Sequence, residues 1–115
     1  MVKMENKLYL SGLNFLSKND LHNAEECFKK FVIENPLEYM GFYQLGLICF
    51  NKKEYKKAYE YFYKVFIHNK NNVDVNFYLG LINLCLGFIN NAIIKFIEIL
   101  EIEPEHEKAL IYLAQ

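Results

Sequence analysis

Apolar residues recur along the chain at intervals of three and four, the period of an α-helix with one buried face. The stretch YMGFYQLGLICFNKKEYKKAYEYFYKVFIHNKNN, residues 39–72, shows it most clearly. Two apolar segments flank the polar turn Lys52–Lys53, which reads as two amphipathic helices folded back on each other. Extended to the whole chain, the pattern predicts seven helices. They fall at about Met4–Ser17, Asp20–Glu34, Pro36–Asn51, Glu54–His68, Asn72–Leu86, Phe88–Glu101 and Glu105–Ala114. The turns Lys18–Asn19, Lys52–Lys53 and Gly87 are short, so successive helices run antiparallel. Asp20 is placed to cap the second helix.

The helices come in copies. Gly12, Gly46 and Gly80 stand 34 residues apart, as do Ala24, Ala58 and Ala92, and Phe28, Phe62 and Phe96. This period and order resemble the tetratricopeptide repeat family. The first copy, residues 5–38, supplies Leu8, Gly12, Phe15, Ala24, Phe28 and Pro36. The second, 39–72, supplies Phe42, Leu45, Gly46, Ala58 and Phe62; the third, 73–106, supplies Leu79, Gly80, Ala92, Phe96 and Pro104. Residues 107–115 are half of a fourth copy or a capping helix, with Leu110, Leu113 and Ala114 in register. The resemblance implies one all-α domain spanning 1–115, a right-handed α-solenoid of about three and a half helix-turn-helix repeats.

Glycine in a helix interior costs up to about 1 kcal/mol, so its threefold use implies close approach of the paired helices. The in-register alanine is expected at that crossing, with the phenylalanine filling the space below. Some positions depart from the family pattern. Lys70 stands where proline is usual, and Asn76 and Asn83 where apolar residues are usual. Phe31, Val65 and Ile99 are larger than the usual small residue. The expectations are wider packing between repeats and buried amide hydrogen bonds, or local solvation, near the two asparagines.

Composition narrows the function. Hydrophobic residues make up 53% and charged residues 23%, a globular balance. Net charge is −1 and arginine is absent, which argues against nucleic acid and anionic lipid as partners. No apolar run approaches the roughly 20 residues of a membrane span, and the N-terminal stretch lacks a signal-peptide pattern. Cys27, Cys49 and Cys85 are odd in number and unpatterned, as expected of reduced thiols in the cytoplasm. His22, His68 and His106 are scattered, and no HExxH, CxxC or phosphate-binding glycine loop occurs. The expectation is a non-enzyme without metal or cofactor. The acidic run from Glu98 to Glu107 reads as a solvated helix end.

The resemblance implies a protein-interaction scaffold whose first helices line a concave groove. Carried onto this chain, that groove holds Tyr9, Leu13, Leu16, Met40, Tyr43, Leu47, Phe50, Phe77, Tyr78, Leu81, Leu84, Ile111 and Tyr112. Some family members bind acidic chaperone tails through a carboxylate clamp; its positions here are Tyr9, Leu13, Gln44, Asp74 and Tyr78, so the clamp is missing. The expected ligand is an apolar helix or extended segment of a protein or peptide. Leu10, Leu47 and Leu81 suit internal packing, whereas Tyr9, Tyr43, Phe77 and Tyr78 are the aromatics hardest to bury internally. A second candidate interface comprises Tyr59, Tyr63, Phe66, Ile94, Ile97, Leu110 and Leu113. It carries the competing expectation of a homodimer through the C-terminal half or convex face. A third is that the chain is part of a longer array.

Overall fold

The computed structural model describes residues 6–115; the predicted start of the first helix at Met4 lies outside the described residues. Seven α-helices follow one another: α1 Lys7–Ser17, α2 Leu21–Glu34, α3 Tyr39–Asn51, α4 Tyr55–Phe66, α5 Val73–Cys85, α6 Ile89–Ile102 and α7 Glu107–Leu113. Each helix packs mainly on its neighbours in the chain, giving an α-solenoid of 42 × 28 × 21 Å. All predicted helices are present among the described residues, most starting one to three residues later than predicted and α6 running one residue further, to Ile102. The side chains of Asn6, Asp20, Asn72 and His106 accept from backbone N–H groups of the turns they open. Pro36, expected to open α3, instead lies in a turn closed by the Glu38 N–H donating to the Asn35 carbonyl at 3.1 Å.

Within each repeat the chain reverses through one left-handed residue: Asn19 at φ 58°, Lys53 at φ 63° and Gly87 at φ 86°. The next residue's N–H then donates five residues back, Asp20 to Phe15, Glu54 to Cys49 and Phe88 to Asn83, at 2.7–2.9 Å.

The invariant glycines serve the phenylalanine. A Cβ on Gly12 would lie 2.6 Å from the Phe28 ring, and on Gly46 or Gly80 2.9 Å from the Phe62 or Phe96 ring. The ring edge, rather than the in-register alanine, therefore occupies the space left by each missing side chain. All three phenylalanines are buried.

The large residues between repeats are matched by size. Phe31 faces Gly41, where a Cβ would meet the ring at 2.7 Å. Val65 and Val75 share one core cluster, and Ile99 and Ala109 another. At Phe31 the facing position carries no side chain, which leaves room for the ring.

The two departures around Lys70 answer each other. Asn76 is buried, and its amide donates to the carbonyls of Lys70 at 2.9 Å and Asn72 at 3.0 Å. Its oxygen accepts from Lys95 Nζ at 3.2 Å. The amide thus ties down the inter-repeat turn where proline is missing. Lys95 also lies 3.9 Å from the Phe66 ring centroid, joining the second and third repeats. Asn83 is buried at 5% exposure and lies beside a cleft of about 380 Å³ lined also by Tyr59, Phe88 and Asn91.

Candidate functional site

The groove aromatics form a repeated internal stack. Tyr9, Tyr43 and Phe77, one per repeat, meet Phe28, Phe62 and Phe96 at 5.5, 5.8 and 5.9 Å with steeply inclined rings. From the following helix, Tyr78 stacks on Phe62 at 4.9 Å and 4°, and Tyr112 on Phe96 at 5.4 Å and 12°. At the first junction that position is Gln44, whose amide donates to the Tyr9 hydroxyl at 3.3 Å. Pairs of this kind contribute about 0.5–1.5 kcal/mol each beyond area burial.

Of the four aromatics expected to be hard to bury internally, this corrects the expectation for Tyr9 alone. Tyr9 is 5% exposed and belongs to the core. Tyr43, Phe77 and Tyr78 are half-buried against their neighbours. Leu13, Leu16 and Met40 pack on the first core cluster, and Leu47 and Phe50 on the second. Leu81, Leu84 and Tyr112 pack on the third. Leu10, expected to pack internally, is 45% exposed, and Ile111 is also exposed.

A cleft of about 560 Å³ lies among α3, α5 and α7, lined by Tyr43, Asp74, Phe77, Tyr78, His106, Glu107 and Lys108. Its walls are aromatic and its rim is charged. Burial, reinforced by Tyr78 and Asp74, pushes the Tyr43 hydroxyl up to about 12, so it remains a donor at any physiological pH. Lys108 Nζ sits 5.9 Å from the Phe77 ring centroid. His106 Nδ1 accepts from the Ala109 N–H at 3.1 Å, and its ring lies 5.5 Å from Phe77. His106 was missed because a lone histidine beside a proline turn carries no sequence pattern; its role comes from starting α7.

The second surface is split. Tyr59 and Tyr63 stack at 6.3 Å and Tyr63 leans on Phe66 at 5.7 Å, while Lys95 covers the Phe66 ring. Ile94, Ile97 and Leu110 are about half-exposed, and Leu113 packs on the third core cluster.

All three cysteines are free; burial pushes the Cys49 thiol up to about 11, which keeps it inert at neutral pH. Among the described residues, no group of three His, Cys, Asp or Glu is placed to hold a metal, and no helix is long and apolar enough to cross a membrane.

Paired antiparallel helices, left-handed turns in register and a concave face built from α1, α3, α5 and α7 define the tetratricopeptide-repeat fold. Solved structures share it. MamA residues 41 to the end from Desulfovibrio magneticus RS-1 superposes with TM-score 0.85 at 23% identity, covering 92% of this chain and 60% of that one. A tetratricopeptide repeat protein from Parabacteroides merdae gives 0.88 at 23%, covering 93% and 43%. The first repeat domain of Spaghetti (RPAP3), solved bound to the HSP90 peptide SRMEEVD, gives 0.84 at 18%, covering 93% and 85%. This chain thus spans about 60% of the MamA structure. No family model and no curated protein matches the sequence.

Proposed function

We propose that this chain is a protein-interaction module that holds an extended segment of a partner in the cleft among α3, α5 and α7. The observation that carries the reading is the cleft itself. Tyr43, Phe77 and Tyr78 offer ring surface already fixed by internal stacking, so little ordering cost falls on the module when a ligand lands. The peptide seated on a neighbour of the same fold supports the class of ligand. It does not carry over the ligand's chemistry, because Asp74 stands where the clamp needs a lysine. Tyr43, Phe77 and Tyr78 favour apolar and aromatic ligand side chains, and the charged rim of Asp74, Glu107 and Lys108 orients the ligand backbone. Binding without catalysis is the role proposed, with the cytoplasm as its setting; three free thiols, Cys85 exposed, support a reducing compartment.

Substitution of Tyr43 or Phe77 would disturb the internal stack, so the rim is the better probe. Asp74 and Lys108 are exposed, and among the described residues neither side chain is held by a hydrogen bond. A displayed peptide library is panned against the chain and against Asp74→Lys/Lys108→Glu. The expected result is a set of apolar peptides retained by the first and lost by the second, with unchanged helicity. Retention by both would remove the cleft from the account.

A further inference from the structure

The cleft beside Asn83 lies between α4 and α6, against the end of α5, and shares no residue with the cleft among α3, α5 and α7. Tyr59, Leu86 and Phe88 give it apolar walls. Asn83 is 5% exposed, and its backbone carbonyl is taken by the Phe88 N–H at 2.7 Å. Among the described residues no hydrogen bond reaches its side-chain amide. A buried amide without a partner is costly, and the cleft is where a partner can reach this one.

The preceding junction shows what closes this place elsewhere in the solenoid. In the 34-residue register, Tyr59, Asn83, Leu86 and Phe88 correspond to Glu25, Cys49, Lys52 and Glu54. There Lys52 donates to Glu25 at 3.0 Å and lies 3.5 Å from Glu54, while Lys29 holds the other Glu25 oxygen at 3.2 Å. Cys49, beside these charges, is fully buried. One junction is therefore an apolar thiol sealed by ion pairs. At the next, the seal is replaced by apolar walls around an amide, and Phe88 is 55% exposed. We infer that this cleft binds one apolar residue in an extended segment of a partner protein, with a peptide group of that segment hydrogen-bonded to Asn83.

The lining sets the occupant. An asparagine amide offers both a donor and an acceptor, which a peptide group matches in return. Lys56 and Glu60 on the lining offset each other, so the cleft selects no charge. Its volume of about 380 Å³ lies at the small end of ligand clefts, roughly 300–1,000 Å³, and suits one side chain with its flanking peptide groups. The segment is extended because a helix pairs its own peptide groups internally. A second copy of this chain does not supply one. Its most exposed large apolar residue among those described, Leu37 at 84%, stands in the turn that the Glu38 N–H closes on the Asn35 carbonyl.

The probe is N-acetyl-leucine methylamide, one apolar residue between two peptide groups, titrated into the isotope-labelled chain and followed by NMR. Saturable shifts are expected at the Asn83 side-chain amide, Tyr59 and Phe88, with Tyr43 and Lys108 unmoved. N-acetyl-glycine methylamide should bind about tenfold more weakly or worse, because it lacks the apolar side chain. Asn83→Cys, which restores the residue of the preceding junction, should weaken the leucine probe about tenfold by removing the amide's hydrogen bonds. Tyr59→Glu/Leu86→Lys installs the ion pair of that junction and should abolish binding, with helicity unchanged by circular dichroism. No saturable shift at Asn83, shifts confined to Tyr43 and Lys108, equal binding of the two probes, or binding unchanged in either variant would overturn the inference. So would self-association in sedimentation that Asn83→Cys abolishes, because a second copy would then be the occupant.

Discussion

Single side chains differ here in whether their neighbours relieve or use their strain. Lys53 sits in a left-handed conformation that costs a residue with a Cβ about 1–2 kcal/mol, at the same turn position where the third repeat has Gly87. Lys53→Gly is expected to raise stability by about 0.5–1 kcal/mol after the added unfolded-state entropy, and Gly87→Ala to lower it, both read by urea denaturation. Glu25 shows the opposite situation. Its burial would raise the carboxyl's pKa, but hydrogen bonds from Lys52 at 3.0 Å and Lys29 at 3.2 Å outweigh this and hold it below its ordinary value of 4.5. A depressed carboxyl stabilises the fold above its unfolded pKa, and the effect is lost as pH falls through the folded value. Glu25→Gln should therefore lower stability at neutral pH and flatten the decline below pH 4.5, a difference checked by denaturation across pH. Salt should shrink it, because both lysines are about 40% exposed.

At the scale of elements, the junctions between repeats are fitted pair by pair. Phe31 has Gly41 opposite it, and Val65 has Val75. Gly41→Val alone should cost about 1–3 kcal/mol through overpacking against Phe31 and Val32. Adding Phe31→Val removes one of the two overpacked neighbours, so the double variant should regain part of that loss in a double-mutant cycle. The helices and their order were legible from spacing, because Gly12, Gly46 and Gly80 fix the register of everything else. The fit of Phe31 to Gly41 was not, since neither residue signals its partner across the turn. Nor was the burial of Tyr9, because the Phe31 ring that packs on it at 5.2 Å comes from the last turns of another helix. Asn76 was legible as a departure, but its anchoring of the Lys70 carbonyl needed the turn's actual path.

Across the whole molecule, one set of rings does two things. The stack of Tyr43, Phe62, Tyr78, Phe77, Phe96 and Tyr112 carries packing from the second repeat to α7. The same stack leaves ring faces at the floor of one cleft, beside Asp74 and Lys108. Many of the groove residues expected from the sequence thus also serve as scaffold, and one cleft among them opens in the C-terminal half. Proximity of these groups to a bound segment can be observed directly. An NMR titration of the isotope-labelled chain with a peptide recovered by panning is the most direct measurement. The account predicts shift changes concentrated at Tyr43, Asp74, Phe77, Tyr78 and Lys108, with α2 and the convex face of α4 unmoved. Changes centred on Tyr59 and Tyr63, with those five residues silent, would contradict it.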